Sequence, residues 1–326
     1  MKIFLDEATW RKVVADFDIT DIAVRDRNIV QLCLKTKMSN EDASQLLNED
    51  IPSRIVTLFL DRAPGNNFGF QELQGMRYPS VGVSRAPFPR PSGLIVSRSS
   101  KGDVWPFGGG NGPMEFIAPD GGRPATRRLK CINGYTYSVG TGRRVYRRTA
   151  VGKWLRIDNG LPQTESSTAQ GFSDLDAFSE SDMYAVGGNG DVWHFDGAKW
   201  TQQGFPSNVE LATVTCAGDG NVYISGEGGS LWVGNKSTWK RIYKGSSSIL
   251  WNDVLWFQDK LWLASDYQFR QWNGKELVPV KHEGENVYIT GHMDAYDGIL
   301  VVASLDTVMQ FDGKSWQVLV APYPVS

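Results

Sequence analysis

The sequence predicts an all-β fold, a β-propeller of seven blades with four antiparallel strands each; six or eight blades are the alternatives. Three observations carry this. A sequence unit recurs without gaps at starts 39, 38 and 39 residues apart. Within each unit short apolar strands alternate with glycine and Asp-Gly turns, and helical periodicity is nearly absent. Four strands in roughly 40–45 residues is the period of a propeller blade.

The repeat is clearest in the second half. Asp182 to Trp200, DMYAVGGNGDVWHFDGAKW, aligns with NVYISGEGGSLWVGNKSTW from Asn221, DKLWLASDYQFRQWNGKEL from Asp259 and GILVVASLDTVMQFDGKSW from Gly298. In one unit, LDAF is strand a, MYAVG strand b and VWHF strand c, and strand d starts at Trp200. The turns between them carry the glycines and Asp-Gly pairs that antiparallel hairpins use. Upstream, Gly102-Asp-Val-Trp-Pro-Phe107 repeats Gly190-Asp-Val-Trp-His-Phe195 with one change, and Tyr135 to Trp154 fits with one inserted residue. The strands ITDIAV, IVQLCL and RIVTLFL between residues 19 and 74 keep the pattern without the signature. Blades are thus expected at about 19–74, 75–118, 127–158, 171–204, 210–243, 248–281 and 289–321, all in a single domain spanning 1–326.

Two segments interrupt the pattern. Residues 1–14, ending LDEATW, echo FDGAKW and read as a closing hairpin; the competing reading is a short amphipathic helix over 6–17. Between strands b and c of the first blade, KMSNEDASQLLNEDIPS (37–53) carries Ser39 with Asp42 three residues on, a helix-start signature followed by Ala43, Leu46 and Leu47 on one stripe. A proline-rich insertion, RAPFPRPS, follows at 85–92.

Composition bounds the function. The chain has 326 residues, 41% hydrophobic and 21% charged, with a formal charge of −2. This describes a folded protein and argues against a nucleic-acid partner. No apolar run is long enough for a signal peptide or a membrane helix. Cys33, Cys131 and Cys216 lie far apart without CxxC spacing, so neither a zinc site nor a disulfide framework is expected, and the reading is cytoplasmic.

The unit apolar-Val-Gly…Gly-x-Val-Trp-x-Phe-Asp-Gly-x-x-Trp resembles that of bacterial propellers related to WD-repeat, kelch and sialidase-type proteins. No Trp-Asp dipeptide closes each blade and no Ser-x-Asp-x-Gly-x-Thr-Trp box is present. The resemblance implies architecture and not activity.

Candidate sites divide between function and structure. GGNGD (187–191) suggests a ligand loop, but the matching turns read GEGGS, SDYQ and SLDT, so the position is assigned to hairpin geometry. Asp21, Asp176, Asp253 and Asp294 occupy matching positions on strand a, which lines the central channel. They read either as a polar site or as acceptors for backbone amides of the incoming turn. With His292 they are the residues to test if the protein is an enzyme, a hydrolase or lyase acting at the channel mouth; His282 lies nearby in sequence with Glu283 and Glu285. No catalytic motif of fixed spacing is present.

From Arg123 to Arg148 the chain carries Arg123, Arg127, Arg128, Lys130, Arg143, Arg144, Arg147 and Arg148 with no acidic residue. This run, with Glu41, Asp42 and Phe88 of the two insertions, is the expected surface for another protein. The leading function is therefore non-catalytic protein binding, with an immunity protein that neutralises a toxin as the narrower reading. Its grounds are the cytoplasmic assignment, the missing catalytic motifs and the irregular first half. Carbohydrate binding through exposed tryptophans such as Trp239 and Trp251 is the third reading. No cofactor or metal is expected.

Overall fold

The computed structural model describes residues 3–86, 90–99, 101–108, 112–162, 171–245 and 249–324. It is a propeller of seven four-stranded antiparallel sheets, with strands paired in the order a-b-c-d within each. The sheets span 17–73, 80–116, 126–156, 174–203, 211–243, 253–279 and 292–320, named blades 1 to 7 here.

Each blade packs both faces against neighbours, so strand b has no exposed side. Ile299–Ala303 and Val222–Gly226 are buried at every position. This is why these strands read as continuous apolar runs rather than alternating ones. Strand d, at the rim, reverts to polar residues, as in Trp200–Gln203. The core lies between blades: Tyr184, Val186 and Val192 of blade 4 pack with Val214, Ile224 and Trp232 of blade 5.

The Phe-Asp-Gly stamp has a local cause. Asp196 Oδ1 accepts from the backbone N–H groups of Ala198 and Lys199 at 2.9 and 2.8 Å. Asp312 does the same for Lys314 and Ser315, both at 2.8 Å. Asn273 replaces the aspartate in blade 6, bonding Lys275 and Glu276. The following glycines, Gly197, Gly274 and Gly313, sit at φ of 92–94°. A short side-chain acceptor plus a left-handed glycine closes the c–d turn.

The start of the chain departs from the expected hairpin. Residues Glu7–Val13 form a helix, α1, whose N-cap Asp6 accepts from Thr9 N at 2.9 Å. Leu5, Trp10, Val13 and Val14 are buried, and their spacing puts one face of a helix on the core. That periodicity overrides the echo of FDGAKW. Just before α1, Phe4 N and Leu5 N donate to Val318 O and Leu319 O of blade 7, both at 2.9 Å. All four strands of blade 1 and of blade 7 are contiguous in the chain, so no blade is shared between the chain ends.

The insertion at 37–53 contains a one-turn helix, α2, at Asn40–Ser44, capped by Ser39, whose Oγ accepts from Asp42 N at 3.0 Å. Its apolar stripe is not buried: Leu46 and Leu47 are 45% and 65% exposed.

Candidate functional site

The inner strands run in one direction around the channel, and the strand-a aspartates tie them together. Asp21 Oδ2 accepts from Val81 N at 2.9 Å, Asp176 Oδ2 from Cys216 N at 2.9 Å, Asp253 Oδ2 from Met293 N at 3.0 Å and Asp294 Oδ2 from Val24 N at 2.7 Å. Asp174 does the same for Val214 N at 3.0 Å. The donors sit in the next blade's inner strand and not, as expected from sequence, in the incoming turn. Inner strands of adjacent blades form no ladder with each other, so their amides need side-chain acceptors.

The basic run supplies the counter-charges. Arg128, on strand a of blade 3, reaches Asp253 Oδ1 at 2.5 Å and Asp174 Oδ1 at 3.3 Å. Lys130 Nζ lies 3.6 Å from Asp176. His292 Nδ1 is 3.2 Å from Asp253 Oδ2. Burial alone would raise the Asp253 carboxyl, but Arg128 and His292 outweigh it and hold it well below the usual carboxylate range. Burial opposes the charge on Arg128 and on His292 too, and the facing carboxylates more than reverse that, raising both. Asp21, Asp176 and Asp294 are pushed up, mainly by burial. The result is a polar cavity of about 440 Å³ on the axis, bordered by Arg85, Lys130, Asp176, Trp256, Asp294 and Tyr296.

This arrangement is better built to join blades than to do chemistry. Each carboxylate already holds a backbone amide, and Asp176 and Asp253 also hold a cation. His292 has Asp253 as its hydrogen-bond partner among the described residues, with no nucleophile between them. Asp294 lies two residues further along the strand and bonds blade 1 instead. Burial pushes the Cys33 thiol up to about 12 and raises Cys216 well above its ordinary value, so neither forms a thiolate readily. His282 lies apart, in a two-stranded hairpin, 3.9 Å from Glu283. Among the described residues no group of three His, Cys, Asp or Glu side chains is placed to hold a metal ion.

The rest of the basic run is distributed rather than gathered into one patch. Arg143 makes a bidentate pair with Asp191 of blade 4 at 2.7 and 3.2 Å, and Asp191 also accepts from Trp193 Nε1 at 2.8 Å. The aspartate of GGNGD is therefore an inter-blade clamp. Arg147 pairs with Glu180 at 2.6 Å and stacks 3.9 Å from the Tyr135 ring centre. Arg148 is buried against Glu115. Arg144 donates to the Arg123 carbonyl at 3.0 Å, while Arg123 itself is exposed. Arg127 lines a cleft beside the axis. Glu41 and Asp42 are exposed on α2, and Phe88 lies outside the described residues. The tryptophans suggested as sugar platforms are not free faces. Trp251 is 3% exposed and donates to Gly229 O at 3.0 Å, and Trp239 packs on Tyr184 and Phe205.

Among proteins of known role, the chain is 33% identical over 224 residues to immune protein Tsi7 of Pseudomonas aeruginosa, covering 67% of this chain and 72% of that one. This chain belongs to the Tsi7 family of immune proteins. No protein-family model matches it. Solved structures similar to this Tsi7 relative are propellers. Virginiamycin B lyase from Staphylococcus aureus superposes with a TM-score of 0.63 at 11% identity, covering 89% of this chain and 92% of that one. The WD40 propeller of Doa1 gives 0.59 at 12%, with 90% and 92% covered. YCF48 bound to D1 peptide gives 0.51 at 16%, with 94% and 82% covered. At these identities the likeness is one of fold.

In this member of the Tsi7 family, sequence reasoning missed the residues exposed at one end of the propeller. Tyr267 and Leu305 stand among turn-forming residues in SDYQ and SLDT. They are 78% and 62% exposed. A large apolar residue in a turn that needs only polar or small ones is the signal that could have found them.

Proposed function

We propose that this chain is an immunity protein that neutralises a protein toxin by forming a stoichiometric, non-catalytic complex with it in the cytoplasm. The observation that carries this reading is the 33% identity to an immune protein over two thirds of the chain. The axial site supports it, since its charges are engaged with each other and with the inner strands. The three free cysteines fit a reducing compartment. YCF48, a propeller of the same fold, is seen with a bound peptide, which supports protein recognition by this architecture.

Co-expression with the products of neighbouring genes tests it. The expected result is that one such product arrests growth alone, is tolerated when this chain is present, and co-purifies with it at one to one. Protection by far less than an equimolar amount of this chain would point instead to turnover and overturn the reading.

A further inference from the structure

In each blade the a–b and c–d turns fall at one end, while the b–c turns and the blade-to-blade connections fall at the other. Because the inner strands run in parallel, all the b–c turns and connections share one face of the ring. Two groups of exposed apolar side chains lie on that face. Tyr267 and Leu305 are in the b–c turns of blades 6 and 7, and Tyr288 (86% exposed) is in the connection between those blades. Leu46 and Leu47 are in the b–c insertion of blade 1, and Tyr78 (52% exposed) is in the connection from blade 1 to blade 2.

Continuous concave surface joins the two groups. A cleft beside Tyr288 shares Tyr267, Thr290 and Ser304 with a second cleft. That second cleft shares Thr20 and His292 with a third, of about 250 Å³, which runs to Tyr78. The groove thus crosses the face past the axis.

The third cleft is electropositive. Lys35, Arg98, Arg127, Arg128 and His292 border it with Tyr78, against one carboxylate, Asp21. Lys35 Nζ and the Arg98 guanidinium lie 6.0 and 5.4 Å from the Tyr78 ring centre. Arg98 donates to Thr126 O, and neither Arg98 nor Lys35 forms an ion pair with a described carboxylate. Burial, then the like charge of Arg127, lowers Arg98 from its ordinary value, and burial lowers Lys35. Arg128, Arg143, Arg147 and Arg148, by contrast, each meet a carboxylate. Arg98, partly desolvated, beside the like charge of Arg127 and without an ion-paired carboxylate, is complementary to an anionic group from outside, and Lys35 adds a second positive charge beside the Tyr78 ring.

We propose that this face is the docking surface for a partner protein, whose acidic segment places a carboxylate among Lys35, Arg98 and Arg127 beside Tyr78, and whose apolar residues cover Tyr267, Tyr288 and Leu305. The proposal rests on the neutralisation reading and supplies the surface it requires. Exposed tyrosines flanking a cationic notch have the composition of a binding hot spot, with aromatic anchors around a polar contact.

The test measures binding of the purified full chain to the toxin found by co-expression. Tyr288→Ala alone, at a side chain too exposed to affect folding, should weaken binding about tenfold. Arg98→Glu should weaken it about a hundredfold and flatten its dependence on salt. Leu155→Ala, on the rim of blade 3, should leave it unchanged, and thermal melting should show all three variants folded. Full affinity in both face variants would overturn the surface while leaving neutralisation intact. No complex with the unaltered chain would overturn neutralisation itself, and the surface with it. A dimer of the free chain that Tyr288→Ala breaks would assign the face to self-association and overturn the proposal.

Discussion

Arg148 and Glu115 are each at most 1% exposed, and Glu115 meets both the guanidinium and Trp154 Nε1. Removing one charge of such a pair leaves the other buried without compensation, which costs about 3–5 kcal/mol. Glu115→Gln should lower the urea midpoint accordingly, and Glu115→Leu with Arg148→Met should recover most of the loss. A double variant no better than the single one would show that the pair is needed for more than charge balance. His292 gives a pH signature. Its pKa is raised in the folded protein, so its contribution is complete below its ordinary value of 6.5 and lost as pH rises through the higher folded value. Asp253, shifted the other way, loses its contribution only in acid, below about pH 4. The melting temperature of the unaltered chain should therefore exceed that of His292→Asn at about pH 6, with the gap narrowing as pH rises above 6.5. A gap constant with pH would exclude this linkage.

The b–c turn of blade 4 shows how an element's sequence is set by its neighbour. Gly190 N donates to Val209 O at 2.9 Å and Leu211 N to Gly188 O at 3.0 Å, so the turn bonds the strand entering blade 5. Gly190 has φ of 68°, and a Cβ there would lie 2.0 Å from Ser207 O. Gly220, also left-handed with φ of 81°, has open space around it. Gly220→Ala should cost about 1 kcal/mol, from backbone conformation alone. Gly190→Ala should cost about 2–3 kcal/mol, because the turn must also move off blade 5. Equal losses in chemical denaturation would mean that the inter-blade contact adds nothing. The stamp GGNGD is therefore read correctly as a turn, but its strict glycines answer to the next blade as much as to the hairpin.

At the scale of the ring, residues before blade 1 pack across the seam where blade 7 meets blade 1. Phe4 and Leu5 extend blade 7 outward, while α1 buries Leu5, Trp10, Val13 and Val14 against Ile19, Val308 and Leu319. A chain beginning at Ala15 should lose more than about 3 kcal/mol of stability from that apolar burial. It should also self-associate, because the outer strand of blade 7 would keep open hydrogen-bonding groups at an edge. Light scattering and thermal melting check both, and a monomer with unchanged melting would show that the ring closes without the segment.

The architecture was legible because a blade is a local object. Its period, its buried strand b and its Asp-Gly turn lie within 40 or so neighbouring residues, and each repeat states them again. The aspartates of strand a were legible too, as a matching set with structural acceptors as one reading. Their partners were not, since Asp294 meets Val24 across 270 positions and Arg128 meets Asp253 across 125. The partners of the basic run were not legible for the same reason: Arg143, Arg147 and Arg148 find carboxylates supplied by other parts of the chain. The sequence by itself determined a propeller of four-stranded blades, because repetition makes local hydrogen bonding and burial add up to one topology, and the structure set the number at seven. Only the tertiary structure decided which charges are spent inside it and which side chains stand together on one face. Those depend on distances across the ring, which spacing along the chain does not encode.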